Sequence, residues 1–259
     1  MRLNYDTFTG RRSTFVCTAF ALILLTLAVF AVFSSRIMDV LSQFLGENAR
    51  YAAMLLIQNG LVVLSVLIAA LCTERNHPLK EKLGLSMAPE YSLRFLFPVF
   101  ALAVVVTFGM QIGLSALLKA FGREPKAQSM VDFFRTLKPL AFFVFALITV
   151  IAAPIAEEYA FRHIFYRLVR VILYRKEAAV VVSLVFALFH VSLPALLNTK
   201  PFPWEMLVVP VIPLFVLAMF LQQQYEKSKS VIPSMLIHAG FNLISVFLLI
   251  LQVYYGVGK

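Results

Sequence analysis

The chain has 259 residues, of which 61% are hydrophobic and 14% charged, with 25 Phe and a formal net charge of +10. So few charges on so apolar a chain exclude a soluble globular domain and describe a polytopic membrane protein. The basic excess does not point to nucleic acid, because Lys and Arg are spread over the connections instead of gathering with aromatics in one basic domain.

A spanning helix needs about 20 largely apolar residues. Runs that meet or approach this length are Phe15 to Phe33, Tyr51 to Cys72, Phe95 to Leu118, Leu140 to Ala156, Ala178 to Leu197, Met206 to Leu221 and Val231 to Tyr255. They predict an all-α transmembrane helix bundle with about seven spanning helices, forming one membrane domain over residues 1–259. The first run follows Arg11 and Arg12 like a signal peptide, but it is longer than the usual apolar core of about 7 to 15 residues, and "FSSRIMD" offers no small-x-small cleavage site. It is read as a retained helix. The fourth and sixth runs are short, and the sixth carries Pro210 and Pro213, so either is a candidate for a broken or re-entrant segment.

The connections add orientation. Their Lys and Arg residues favour the amino terminus inside and the carboxyl terminus outside. The stretch Cys72 to Arg94, "CTERNHPLKEKLGLSMAPEYSLR", breaks helix at Pro78 and Pro89 and reads as an inner loop, with His77 solvated. Ahead of the fourth run, "EPKAQSMVDFFRTLKP" fits either an amphipathic interfacial helix or an ordinary capped connector. Cys17 and Cys72 lie in apolar runs without disulfide or metal-ligand spacing. The chain has no internal repeat, which lowers the case for an inverted-repeat transporter.

Ionisable groups inside apolar segments are costly and usually mark function. The first such place is "EEYAFR", Glu157 to Arg162. If the fourth helix continues, Glu158 and Arg162 form an i,i+4 pair in the favourable sense, while Glu157 is rotated by about 100° toward another partner. The plainer reading puts all three at headgroup level. The second place is "FALFHVSLP", where His190 alone is worth only a hydrogen bond to a neighbouring helix, about 1 kcal/mol. The third is "IHAGFNLI", which stacks His238 and Asn242 on one helical face beside Gly240, a residue that admits close approach of another helix. Each stretch alone also reads as polar packing. Together, two acids, two imidazoles and an amide on three helices are the groups that activate a water and stabilise an oxyanion. His163, next to Arg162, is expected at the surface of the helix end.

On these residues the chain resembles the CPBP family of intramembrane proteases, which includes the CAAX prenyl endopeptidases and Abi-type bacteriocin-processing or immunity proteins. The family pattern EExxxR, FxxxH, HxxxN reads here as Glu157 to Arg162, Phe186 to His190 and His238 to Asn242. It places a catalytic core at approximately residues 139–255, and "KLGLS" at Lys82 to Ser86 looks like a connector found upstream in the family. The resemblance implies peptide-bond hydrolysis in or beside the membrane. Glu157, assisted by His190, would activate water; His238 and Asn242 would stabilise the oxyanion; Glu158 and Arg162 would support the site, and Phe186 would shape the pocket. It also raises zinc as a cofactor, with Glu157, His190 and His238 as ligands, although the chain has no HExxH and the same groups serve a metal-free mechanism. The implied partners are the lipid bilayer and a peptide or lipidated protein substrate, and the implied location is a bacterial-type cytoplasmic membrane.

Other protease classes fit poorly: Ser86 lies in a charged loop, and Asp6, Asp39 and Asp132 all fall outside the runs. The alternatives are a noncatalytic membrane binding or bacteriocin-immunity protein of the same fold, and a transporter with Glu157 and Glu158 as proton sites. One depth is awkward. Counting along the runs puts Glu157 at the inner edge of its helix and His190 about 18 Å inside its own.

Overall fold

The computed structural model describes residues 12–73, 78–124, 137–191 and 205–255. These form long helices α1 (Arg12–Ser42), α2 (Glu47–Cys72), α3 (Leu96–Ala120), α4 (Pro139–Val169), α5 (Arg175–Phe189), α6 (Glu205–Ser228) and α7 (Val231–Tyr255), with no strand among the described residues. Six are long and apolar enough to cross a membrane. The exception is α5, whose 15 residues end at the cap His190. His77 and nearly all of the segment ahead of α4 lie outside the described residues.

The two short runs belong to longer helices. Helix α6 continues through Pro210 and Pro213, so neither proline breaks it. Helix α4 runs for 31 residues and carries Glu157, Glu158 and Arg162 in its interior. Those charges do not end the helix because they satisfy one another inside the bundle. They stand about 18 Å from its end at Val169, while His190 stands about 22 Å from Arg175 at the near end of α5. The awkward depth is thereby removed: α4 continues past the acids, and both groups are reached from the same α4–α5 connection.

Small residues let the helices approach. Ala19 of α1 and Ala69 and Ala70 of α2 are fully buried, and Thr26 Oγ1 meets Ser65 Oγ at 3.1 Å. A Cβ on Gly240 of α7 would stand 2.8 Å from the Phe100 ring of α3, so this glycine sets how closely those two helices pack. Large apolar side chains such as Val32, Phe97, Val105 and Ile112 point outward, as lipid-facing positions require.

The loop "KLGLS" holds the bundle at one end. Lys82 is buried, and its Nζ donates to the carbonyls of Ala70 and Thr73 at the carboxyl end of α2, where a cation is favoured. Its own carbonyl lies 2.6 Å from His163 Nε2, and Gly84 O accepts from Val231 N at 2.9 Å and Ser230 Oγ at 2.8 Å. His163 is therefore not a surface residue. It is 3% exposed, with Tyr225 Oη 3.3 Å from Nδ1. It points inward because its ring nitrogens find partners there.

Gly84 has φ +65°, and a Cβ would stand 2.7 Å from the anchored His163 ring. Gly84→Ala combines left-handed strain with a clash and is expected to destabilise the fold by roughly 2 kcal/mol. A thermal midpoint in detergent equal to that of wild type would contradict this account of the loop.

Candidate active site

Helix α4 departs from α geometry on both sides of the acids. Residues Ile148–Ala152 and Tyr159–Phe165 are π-helical, a distortion often found at functional sites. Between them, Glu157 and Glu158 project to different sides and take different environments.

Glu158 is wholly buried. Its Oε1 lies 3.0 Å from an Arg162 terminal nitrogen and 2.9 Å from His238 Nδ1. The i,i+4 ion pair expected from the sequence is present, and it sits in the core instead of at headgroup level. Arg162 is also fully buried, with its guanidinium carbon 4.2 Å from the Phe186 ring centroid. Where a guanidinium cannot reach water, an aromatic face supplies the remaining electrostatic contact.

Glu157 is the partly open acid, with its side chain 27% exposed. Its Oε2 lies 3.7 Å from His190 Nε2 and 3.8 Å from His238 Nε2. The other nitrogen of each imidazole is committed. His190 Nδ1 donates to the Phe186 carbonyl at 2.8 Å, one turn back on α5, and His238 Nδ1 is held by Glu158. Fixing Nδ1 leaves Nε2 as the atom each ring turns toward Glu157.

Phe186 connects these groups. It is buried, its ring centroid lies 4.7 Å from that of His190 and 5.6 Å from that of His238, and its carbonyl orients His190. The four-residue spacing in Phe186 to His190 has a physical basis: a side chain at the end of a helix reaches the unpaired carbonyl one turn earlier.

The three motifs thus converge. Glu157, Glu158 and Arg162 from α4, Phe186 and His190 from α5, and His238 from α7 share one cluster. Asn242 stands one turn beyond His238, with Nδ2 donating to the Thr149 carbonyl at 2.8 Å. Thr149 and Pro154 join the site without belonging to any of the three motifs. Pro154 was visible as a proline inside an apolar run, whereas nothing in the sequence singles out the Thr149 carbonyl.

Glu157, His190 and His238 offer the right donor types for zinc. Tetrahedral zinc, with bonds near 2.1 Å, places its ligand atoms about 3.3 Å apart. The two separations from Glu157 are wider, and among the described residues no group of three His, Cys, Asp or Glu side chains gathers to hold a metal. The arrangement does not fit a bound metal.

Residues 139–244 match the family described as type II CAAX prenyl endopeptidase, Rce1-like. No curated protein and no solved structure matches the chain. The matched segment contains every residue of the three motifs, which meet here on one multi-pass helical bundle. Through this Rce1-like segment the chain belongs to the CPBP family of intramembrane proteases.

Proposed function

We propose that the protein is an endopeptidase that hydrolyses a peptide bond with a water activated by Glu157. The observation that carries this reading is the pair of gaps, 3.7 and 3.8 Å, between Glu157 Oε2 and the two imidazole Nε2 atoms. They are too long for direct hydrogen bonds and are the spacing at which one water bonded to the carboxylate also reaches a ring nitrogen.

The roles follow from the surroundings. Glu157 takes the proton of the attacking water, and His190 Nε2 accepts a second hydrogen bond from that water and orients it. Glu158 holds His238 through Nδ1. Flanked by two carboxylates, His238 is stabilised as an imidazolium, and with Arg162 it brings the charge of the four groups to zero. Its Nε2–H then donates to the oxyanion that forms on the scissile carbonyl. The proton on Glu157 finally passes to the leaving amine. No step is routed through a metal, because the donor atoms stand too far apart to share one. Helices α4 to α7 form the catalytic core of a single membrane domain, and the membrane is a bacterial-type cytoplasmic one.

The family description names prenylated carboxyl-terminal peptides as substrates. For this chain we assign an apolar or lipidated peptide, which fits a site enclosed by apolar helices.

The test is cleavage of quenched-fluorescence peptides, farnesylated and not, by the purified protein in detergent. Glu157→Gln keeps the shape of the side chain and removes the base, so turnover is expected to fall by about 1,000-fold or more with the thermal midpoint little changed. His238→Ala is expected to cost about 100-fold or more, as loss of an oxyanion donor does. Turnover that survives both substitutions would remove the assignment and favour a noncatalytic member of the family. Loss of wild-type activity to a chelator, restored by zinc, would replace the metal-free roles.

A stability measurement examines the buried support. Arg162→Met leaves Glu158 as a buried carboxylate without its cation and is expected to cost about 3 to 5 kcal/mol. Adding Glu158→Gln should recover part of that loss. A double variant no more stable than Arg162→Met would show that the ion pair does not account for the burial of either residue.

A further inference from the structure

The amide of Asn242 is engaged before any substrate arrives, and the reason lies in the backbone of α4. The N–H of Ala153 donates to Ile148 O, five residues back, as a π-helical segment requires. The next bond in that ladder would run from the N–H of residue 154 to Thr149 O. Residue 154 is proline and has no N–H. With the Ala153 N–H already used one position earlier, the Thr149 carbonyl loses both its i+4 and its i+5 donor. Such a carbonyl cannot be left unmet among apolar helices, where water does not supply the missing bond. Asn242 Nδ2 supplies it at 2.8 Å.

Resting on the peptidase reading above, we propose that Asn242 is a positioning residue. It closes the acceptor that Pro154 orphans on Thr149, and so pins α7 to the kink in α4 at one register. Its effect on the chemistry passes through His238, which lies one turn earlier on the same face of α7, with Nδ1 2.9 Å from Glu158. The two bonds act as a pair of clamps between α4 and α7. Asn242 to Thr149 sets the height of α7, and His238 to Glu158 sets the ring whose Nε2 faces Glu157. Pro154 and Asn242 are complementary: the proline creates the free carbonyl, and the amide two helices away uses it. The other reading of this amide is that of a direct oxyanion donor. It makes no reference to Pro154, and that separates the two.

The experiment is a double-mutant cycle on the full-length protein in detergent: wild type, Asn242→Ala, Pro154→Ala and the double variant. Thermal midpoint, kcat and KM are read for each, using a peptide that the wild type cleaves. Pro154→Ala restores the N–H that reaches Thr149 O within the helix, so the carbonyl no longer needs the amide. The expected result is that Asn242→Ala alone lowers the midpoint and reduces kcat by about 10-fold or more, while in the Pro154→Ala background the same change costs about 2-fold or less in kcat and leaves the midpoint nearly unmoved. An equal loss of kcat from Asn242→Ala in both backgrounds would overturn the proposal and make the amide a direct donor. The midpoint cycle needs no turnover. Coupling in stability without cleavage of any peptide would leave the clamp standing and remove the peptidase reading, whereas absence of coupling in stability would remove the clamp. If Asn242→Ala does not accumulate, Asn242→Asp, which keeps the volume and removes the N–H donors, is expressed in both backgrounds. Recovery of folded protein only with Pro154→Ala then counts as coupling, and equal yields count against it.

Discussion

A carboxylate with no access to water organises this molecule. Glu158 is sealed inside a helical bundle, where an unpaired charge would be prohibitive. Arg162 from its own helix and His238 from α7 meet the same oxygen, at 3.0 and 2.9 Å. Each partner is fixed in turn. Arg162 lies against the Phe186 ring of α5, and His238 is left with a single nitrogen to present to the neighbouring acid. Three helices are thereby placed relative to one another by the need to neutralise one buried group.

That arrangement separates two tasks between adjacent acids. Helical rotation turns Glu157 away from the sealed pair and toward the two Nε2 atoms, where it keeps partial exposure. A hydrolytic site surrounded by apolar helices needs water at one carboxylate only. Elsewhere a dry, charge-balanced surrounding strengthens each electrostatic contact. Removing Glu158 from the reaction and Glu157 from the packing would be impossible if both acids faced the same way.

The distortions of α4 serve the same end. A regular α-helix closes its own backbone bonds and offers nothing to a neighbour. The π-helical segments on either side of the acids, together with Pro154, break that self-sufficiency and expose a carbonyl to α7. At the opposite end of the acids, the loop carrying Lys82 and Gly84 locks His163 and the α6–α7 turn together, so the helices that supply the site are tied near both ends.

Much of this was legible in the residues themselves. Long apolar runs imply an all-α membrane bundle, since in lipid only a structure that closes its own backbone bonds can span. Spacing by four residues put Glu158 with Arg162, Phe186 with His190, and His238 with Asn242 on shared helical faces, because helical periodicity is a local property. Which partner each face would meet is not local. The extension of α4 past its acids, the inward turn of His163, the committed amide of Asn242 and the identity of Thr149 O as its acceptor all depend on where other helices lie. A chain decides its own turns by itself; only packing decides which carbonyl is left without a donor, and which side chain from another helix is near enough to supply one.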